Sequence, residues 1–546
     1  MLKKAEKLAW TGIERHKNEV KCRKRGKIAP KACTGVDKHM YRQQEEPPLE
    51  PSSLKLPFEG KLSSENRWVI MSNIIPWSEF EGEYAKNFSE RMGAPALPFR
   101  MALGALIIKE KLRISDEETV EQIRENPYLQ YFIGLTSYQQ EAPFDASMMV
   151  HFRKRINSES VNKINEKMVE GARKKLELEE KEKRVEKERG EEKGDQENKG
   201  KLILDATCAP ADIRYPTDLE ILNQGREGTE KILDCLYKEV KEKLKKKPRT
   251  HRKIARKNYL LVAKNRNPSY KVRRKAIGQQ LKYIKNNLDY INQLLELGAS
   301  LTCLSKRLYR LLLVIQEVYR QQQEMWEKKE KRIDHRIVSL SQPHVRPIVR
   351  GKAGNPTEFG AKLSVSYVEQ FVFLERLSWE NFNESQDLKA QIEKFKDTYG
   401  CYPESVHVDK IYRTRENRAW CKERGIRISG IPLGRPPKNQ SSELKKQAKL
   451  DEAFRNRIEG KFGQAKRHFG LNRVMAKLLE TSETSIAITF LVVNLSTLLR
   501  QILLSLFVKN QENHFPGDLI LFILMFFKGN QQYNLSLTPP IFPLAS

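Results

Sequence analysis

Apolar positions fall at helical intervals through residues 97–135, where Met101, Leu103, Ala105, Leu106, Ile108 and Leu112 line one face. Ser115 stands ahead of Asp116, Glu117 and Glu118, an N-cap followed by acids in the first turn, so a second helix is predicted there. After Asn126-Pro127 a further helix starts at Ser147, with HFRKRI (151–156) on its surface. Short helices, tight turns and a terminal basic helix fit a helix-turn-helix-like DNA reader. A helical oligomerisation domain is the plainer alternative.

The pattern changes after residue 200. Lys201-Leu-Ile-Leu-Asp205-Ala-Thr207 is a short apolar run that predicts a buried strand carrying Asp205 at its C-terminal end. Residues 219–331 read as helix, with heptad-like spacing at Tyr283, Leu288, Ile291, Leu294 and Leu295. Strand signals return at 337–340, 360–367 and 370–377. A helix is expected over 386–399, and then residues 403–409 form a second apolar run that closes on an acid, Asp409. Helix 413–424, strand 426–429, a basic turn at 434–438, a long helix over 444–469 and an apolar helix over 484–507 complete a mixed α/β pattern.

Composition sharpens this outline. The 546 residues carry 100 Lys+Arg against 70 Asp+Glu, a formal charge of +30, which points to a polyanionic partner. The length suggests several domains. Two windows hold the excess charge. Residues 238–285 have nineteen Lys/Arg and two acids, and residues 410–477 have nineteen and six. Residues 174–200 hold nine bases and ten acids with little that is apolar, a solvated helix or linker. Seven scattered cysteines without a CxxC pair argue against a disulfide framework or a zinc site and favour a reducing cytoplasm. The apolar run 486–508 is interrupted by Asn494, Ser496, Thr497, Arg500 and Gln501, which favours a buried helix over a membrane span, and 519–527 is too short to cross a bilayer. No membrane association is expected.

Two strand-borne aspartates are followed by a helix, AFRNRIEGKFGQAKRHFG (453–470), on which Arg455, Glu459, Phe462 and Lys466 share a face. Asp205, Asp409 and Glu459 together make an all-oxygen set suited to Mg²⁺. Two such ions suit phosphodiester displacement. Taken singly, each acid is more often a turn cap or a surface salt-bridge partner.

At these residues the chain resembles the DDE transposases of bacterial and archaeal insertion sequences, in the insertion sequence five group. LPFRMALGALIIKEKLRISDEETVEQIRENPYLQYFIGL with FDASMMVHFRKRI resembles the group's N-terminal helical domain. LILDATCAPADIRYPTD (202–218), VHVDKIYRTRENRAWCKERGIRISG (406–430) and RNRIEGKFGQAKRHFGLNR (455–473) resemble its three acidic motifs. The resemblance covers about residues 97–473. It implies a ribonuclease-H-like α/β catalytic domain with a large α-helical insertion, plus an all-α N-terminal domain. It implies Asp205, Asp409 and Glu459 as the ligands of two Mg²⁺ (or Mn²⁺) ions, with Arg455 and Lys466 on phosphates. The family helix carries Tyr, Arg, Glu and Lys at fixed spacing, and Glu452 stands here at the Tyr position. Ile411 stands where the family usually has Gly.

The expected organisation is a basic leader and connector (1–62), an N-terminal DNA-binding domain (63–173), a charged linker (174–200), the catalytic domain (201–508, insertion about 219–335) and a tail (509–546). DNA contacts are expected at Arg455, Lys466, Arg457 and Arg467, at Arg153 and Arg155, at Arg350, and at Lys253, Arg256, Arg273 and Arg274 of the basic insertion, which suits the backbone without base preference. His344, Arg346, Arg350 and Lys352 are expected between strands, on a channel wall or a plain turn. The implied function is two-metal cleavage and strand transfer on double-stranded DNA, at terminal inverted repeats and a target, by a homodimer or larger synaptic complex at the nucleoid in the cytoplasm. A catalytically inactive DNA-binding derivative and a nuclease of the same fold without strand joining stay open.

Overall fold

The computed structural model describes residues 60–88, 95–185, 198–244, 246–349, 357–430 and 442–511. The chain divides into two compact units, Met1–Arg42 with Phe88–Ala96 and Gln43–Asn87 with Leu97–Ser546. Everything below concerns the second. Arg350, Lys352, the basic turn at 434–438 and the tail beyond 511 lie outside the described residues.

Seven helices come first: α1 (Arg67–Ile74), α2 (Trp77–Ala85), α3 (Phe99–Leu112), α4 (Asp116–Glu125), α5 (Pro127–Phe132), α6 (Met148–Arg155) and α7 (Ser158–Val185). Ser115 caps α4 by accepting from the Glu118 amide, as its sequence predicts. Trp68 and Trp77 meet Phe132 edge-on, at 5.2 and 5.6 Å between centroids. Buried Arg100 is satisfied by Ser72 and by the carbonyls of Tyr131 and Phe132.

The strands are β1 (Lys201–Pro210), β2 (Arg346–Val349), β3 (Thr357–Val368), β4 (Phe371–Ser378), β5 (Ser405–Val408) and β6 (Arg427–Ile428). They form one sheet in the order β2-β3-β1-β5-β6, with β4 also on β3. β1 runs antiparallel to β3 and parallel to β5, and β5 runs parallel to β6. Gly360 pairs with Pro210 on one side and Arg346 on the other, so β2 and β4 share the outer edge of β3. A Cβ at Gly360 would fall 2.1 Å from the Ala209 carbonyl oxygen, which is why only glycine permits this approach.

Between β1 and β2 lie α8 (Asp218–Glu239), α9 (Arg252–Ala263), α10 (Tyr270–Glu296) and α11 (Lys306–Lys328). Ile232, Leu236, Ile291, Leu294 and Leu312 fill one part of their shared core, and Leu222, Leu281, Ile284 and Ile315 another. Helix α12 (Leu388–Tyr399) covers the face of the sheet made by Leu202, Leu204, Val406 and Val408. The chain then forms α13 (Arg415–Glu423), α14 (Ser442–His468) and α15 (Leu479–Gln511).

Helix α15 is apolar and long enough to cross a membrane by length and composition, but 72% of its most apolar window is buried in the fold. It packs against α1, α3, α6, α7 and β4. Asn494, Ser496 and Thr497, which interrupt its apolar run, each have a partner. Asn494 accepts from the Val372 amide at 2.9 Å and donates to the Val372 carbonyl at 2.7 Å, closing the free edge of β4 as a neighbouring strand would. Lys111 donates to Ser496 at 2.6 Å and Lys461 to Thr497 at 2.7 Å. Burial lowers these ammonium groups to about 8 and about 7.

Three sequence expectations are corrected here. β1 does not end near Asp205 but runs on to Pro210, because Ala206–Pro210 keep their pairing with β3 after β5 has stopped. Ile337, Val338 and Leu340 are buried, yet residues 337–340 pair with no strand, and the Ile337 amide is satisfied by the Gln321 side chain instead. Arg346 belongs to β2 and binds Glu380 at 3.0 Å, whereas His344 lies in the turn before it, as one of the alternatives had it, and packs edge-on against Trp379.

Candidate active site

The pairing of β1 with β5 sets Leu204 opposite Val408, and each is followed by an aspartate. Asp205 and Asp409 therefore sit beside one another where β5 stops and β1 continues. The Asp205 carboxylate accepts from the Ala206 amide at 2.8 Å, and Asp409 from the Lys410 amide at 2.6 Å. Asp409 is exposed and opens a 3₁₀ turn, Lys410–Tyr412. Ile411 sits in that turn without a left-handed backbone, and its side chain is half exposed, so glycine is not required there. Tyr412 is buried beneath, against Leu204 and Val408.

Helix α14 brings up the third acid. It is anchored at Asp451, which is buried and accepts a fork from Arg427 of β6 at 2.7 and 3.0 Å. Its Oδ1 also lies 3.7 Å from His407 of β5. Burial lowers His407 to about 4, so the ring is neutral at ordinary pH and fills a packing position. With α14 fixed in this way, Arg455 points across to the sheet. Its guanidinium lies 3.7 Å from Asp205, 3.0 Å from Glu452 and 3.3 Å from Glu459. Glu459 itself is more than half exposed.

Among the described residues, no three His, Cys, Asp or Glu side chains converge as a metal-binding group. A cation does stand between Asp205 and Glu459, namely the Arg455 guanidinium. Burial raises Asp205 to about 6, an effect opposed by the Ala206 amide and Arg455 and reinforced by Glu384 and Asp409. A desolvated carboxylate with carboxylate neighbours and an arginine in the gap is a donor set that fits hard divalent cations.

Two contributors were not singled out from the sequence. Arg413 donates to the Val408 carbonyl at 3.2 and 2.7 Å, bracing the end of β5 beside Asp409. The space it occupies explains Gly430, whose φ is +98° and whose Cβ, if present, would lie 1.9 Å from the Arg413 guanidinium. Its place in the second motif was the available signal. Glu384 lies within electrostatic reach of Asp205 and binds Lys362 at 2.8 Å. It sits in a short irregular turn that carries no sequence signal.

The residues expected to meet DNA separate into groups. Lys466 is half-buried on α14, Arg467 is exposed, and Arg457 packs over the Phe454 ring at 4.6 Å. Lys253 and Arg256 are exposed on α9 and line a shallow groove with Lys257, Leu260, Leu261 and Lys264. Arg273 is exposed, whereas Arg274 stacks over Trp326 at 4.6 Å. Arg155 is half-buried. The surface expectation for Arg153 is corrected, since it is buried and ion-paired with Asp116 because its turn of α6 faces the start of α4. Phe462 is buried in packing, and Trp420 is partly buried against the sheet core, with Arg424 3.9 Å over its ring.

Residues 406–496 match the family model described as transposase DDE domain, and residues 56–155 match transposase domain (DUF772). The first spans Asp409 and Glu459 and the second most of α1–α6. A protein of Rhizobium meliloti, "Uncharacterized protein ORF8 in nfe locus", is 38% identical over 104 residues, 19% of this chain and 50% of the relative. The chain thus spans half the length of the curated relative it matches. No solved structure matches.

Proposed function

We propose that the chain is a DDE transposase of insertion sequences, a reading supported by its matches to transposase domain models, and that it cleaves DNA at the ends of such an element and joins the freed ends to target DNA. Asp205, Asp409 and Glu459 are the acids assigned to the reaction. The observation that carries the assignment is their arrangement, with two aspartates adjacent on parallel strands and Arg455 spanning the gap to Glu459. The strand order, with three antiparallel strands followed by two parallel ones across β4-β3-β1-β5-β6, supports a ribonuclease-H-like catalytic domain. Helices α8–α11 are then an insertion after its first strand.

Asp205, Asp409 and Glu459 would hold two divalent cations, Mg²⁺ or Mn²⁺. When bound, these supply activation of the attacking hydroxyl and stabilisation of the leaving oxygen. The protein's part is positional and electrostatic. Arg413 fixes the end of β5 and so the place of Asp409. Arg455, relieved of Asp205 and Glu459, would offer a planar fork to a phosphate, and Lys466 a point charge. Lys253 and Arg256 extend the basic surface along the insertion, where contacts to the DNA backbone add affinity without sequence preference. A dimer or larger synaptic complex would bring two ends together. The proposed setting is the cytoplasm, at the nucleoid.

The test is a reaction of the full chain with Mg²⁺ and DNA carrying the inverted repeats that flank its gene. Joined products support a transposase, nicks alone a nuclease, and binding alone an inactive derivative. Asp205→Asn and Glu459→Gln are expected to abolish cleavage and keep end binding. Cleavage retained in either variant removes that acid from the site.

A further inference from the structure

Glu452 is an acid that the reaction does not use. It lies one turn before Arg455 on α14, more than half exposed, and accepts from Arg455 Nη2 at 3.0 Å. It is also within electrostatic reach of Arg413, as is Arg455. Three carboxylates thus share one guanidinium. Two of them, Asp205 and Glu459, are assigned to divalent cations, and once engaged they no longer offer free negative charge to Arg455. Glu452 is the acceptor that remains. A phosphate approaching the site meets an arginine that already has a partner, and a negative charge beside it.

We propose that Glu452 is a positioning residue for Arg455, holding its guanidinium against the helix and competing with the DNA backbone for it. Glu452 thus trades affinity at the catalytic centre for a restraint that a phosphate has to displace. The inference rests on the reading of Asp205, Asp409 and Glu459 as a DNA-facing catalytic site.

Fluorescence anisotropy of a labelled duplex of arbitrary sequence, titrated with the full chain over a series of salt concentrations with and without Mg²⁺, tests it without recourse to cleavage. Glu452→Gln is expected to tighten binding about three- to tenfold and to steepen the salt dependence by about one phosphate contact. Glu452→Asp, which keeps the charge, should stay within about twofold of the parent. In an Arg455→Gln background the gain from Glu452→Gln should largely vanish. No gain in the single variant overturns the proposal. So does a gain that persists undiminished without Arg455, because Glu452 would then act only as a general repulsive charge. If the parent chain does not bind the duplex at all, the reading of the site as DNA-facing falls. If it binds and the variants behave alike, only the role of Glu452 falls.

Discussion

The guanidinium of Arg455 stands 3.7 Å from the carboxylate of Asp205, joining the middle strand of the sheet to a helix formed after the last one. Burial is the largest cause that raises Asp205 to about 6, and Arg455 is among the groups that oppose the rise. Arg455→Gln should therefore destabilise the metal-free protein by about 1 kcal/mol at neutral pH. Addition of Mg²⁺ should recover the loss, because a ligand that binds only the folded state adds stability. Thermal melts with and without Mg²⁺ check this, and a loss that Mg²⁺ leaves unchanged would mean that Arg455 serves packing rather than charge balance.

Gly430 has φ +98° and lies against the arginine that braces β5. Gly430→Ala combines a left-handed backbone with a clash, and should cost about 1–3 kcal/mol in urea unfolding. Because the displaced group is Arg413, cleavage should fall further than stability predicts. Arg413→Lys, which keeps the charge but loses the two bonds to Val408, should reproduce the cleavage defect.

Lys111 has a folded value of about 8, below its ordinary 10.5. Its contribution to stability is present above the unfolded value and is lost as pH falls through the folded one. At pH 7 the buried ammonium is charged and costs up to about 3 kcal/mol. Lys111→Met should melt at a higher temperature than the parent at pH 7, and the difference should shrink between pH 8 and 10. A difference that does not change over this range would show that the ammonium is well solvated.

On helices α9 and α10, exposure rather than charge should decide which residues hold DNA. Lys253→Ala and Arg256→Ala should each lower the salt dependence of binding by about one contact. Arg274→Ala should leave that slope unchanged and lower thermal stability instead, since its guanidinium lies over Trp326. Equal slopes for all three would argue against α9 as a backbone-binding surface.

Asn494 replaces a strand at the edge of β4. Asn494→Leu fills the same space but leaves the Val372 amide without its partner, and should cost about 2–4 kcal/mol. It should also raise the fraction that sediments on expression, since an open edge invites pairing with another chain.

Much of the site could be read from local sequence. Asp409 ends an apolar run, and Arg455 and Glu459 fall one helical turn apart, so spacing was enough to single them out as candidates, and Arg455 does reach both Asp205 and Glu459. The boundaries of β1 were not legible, because whether Ala206–Pro210 remain a strand depends on β3, far along the chain. Residues 337–340 have strand composition, yet α11 supplies a side-chain partner for the Ile337 amide where a sheet would have supplied a backbone. HFRKRI looked like a basic surface, but the helix turns Arg153 inward to Asp116. Asn494, Ser496 and Thr497 were visible as interruptions of an apolar run. Their partners Val372, Lys111 and Lys461 could be found only in three dimensions.

The Asn494–Val372 pairing also has a time attached to it. The two residues are separated by 122 positions, and chains are made at roughly 5–20 residues per second. For roughly 6–25 seconds of each synthesis, then, β4 has been made before the residue that will close it exists. The sheet is complete only when nearly all of the described chain has been translated. A chain interrupted before α15 would keep the strands that bear Asp205 and precede Asp409, with one side of the sheet permanently unsealed.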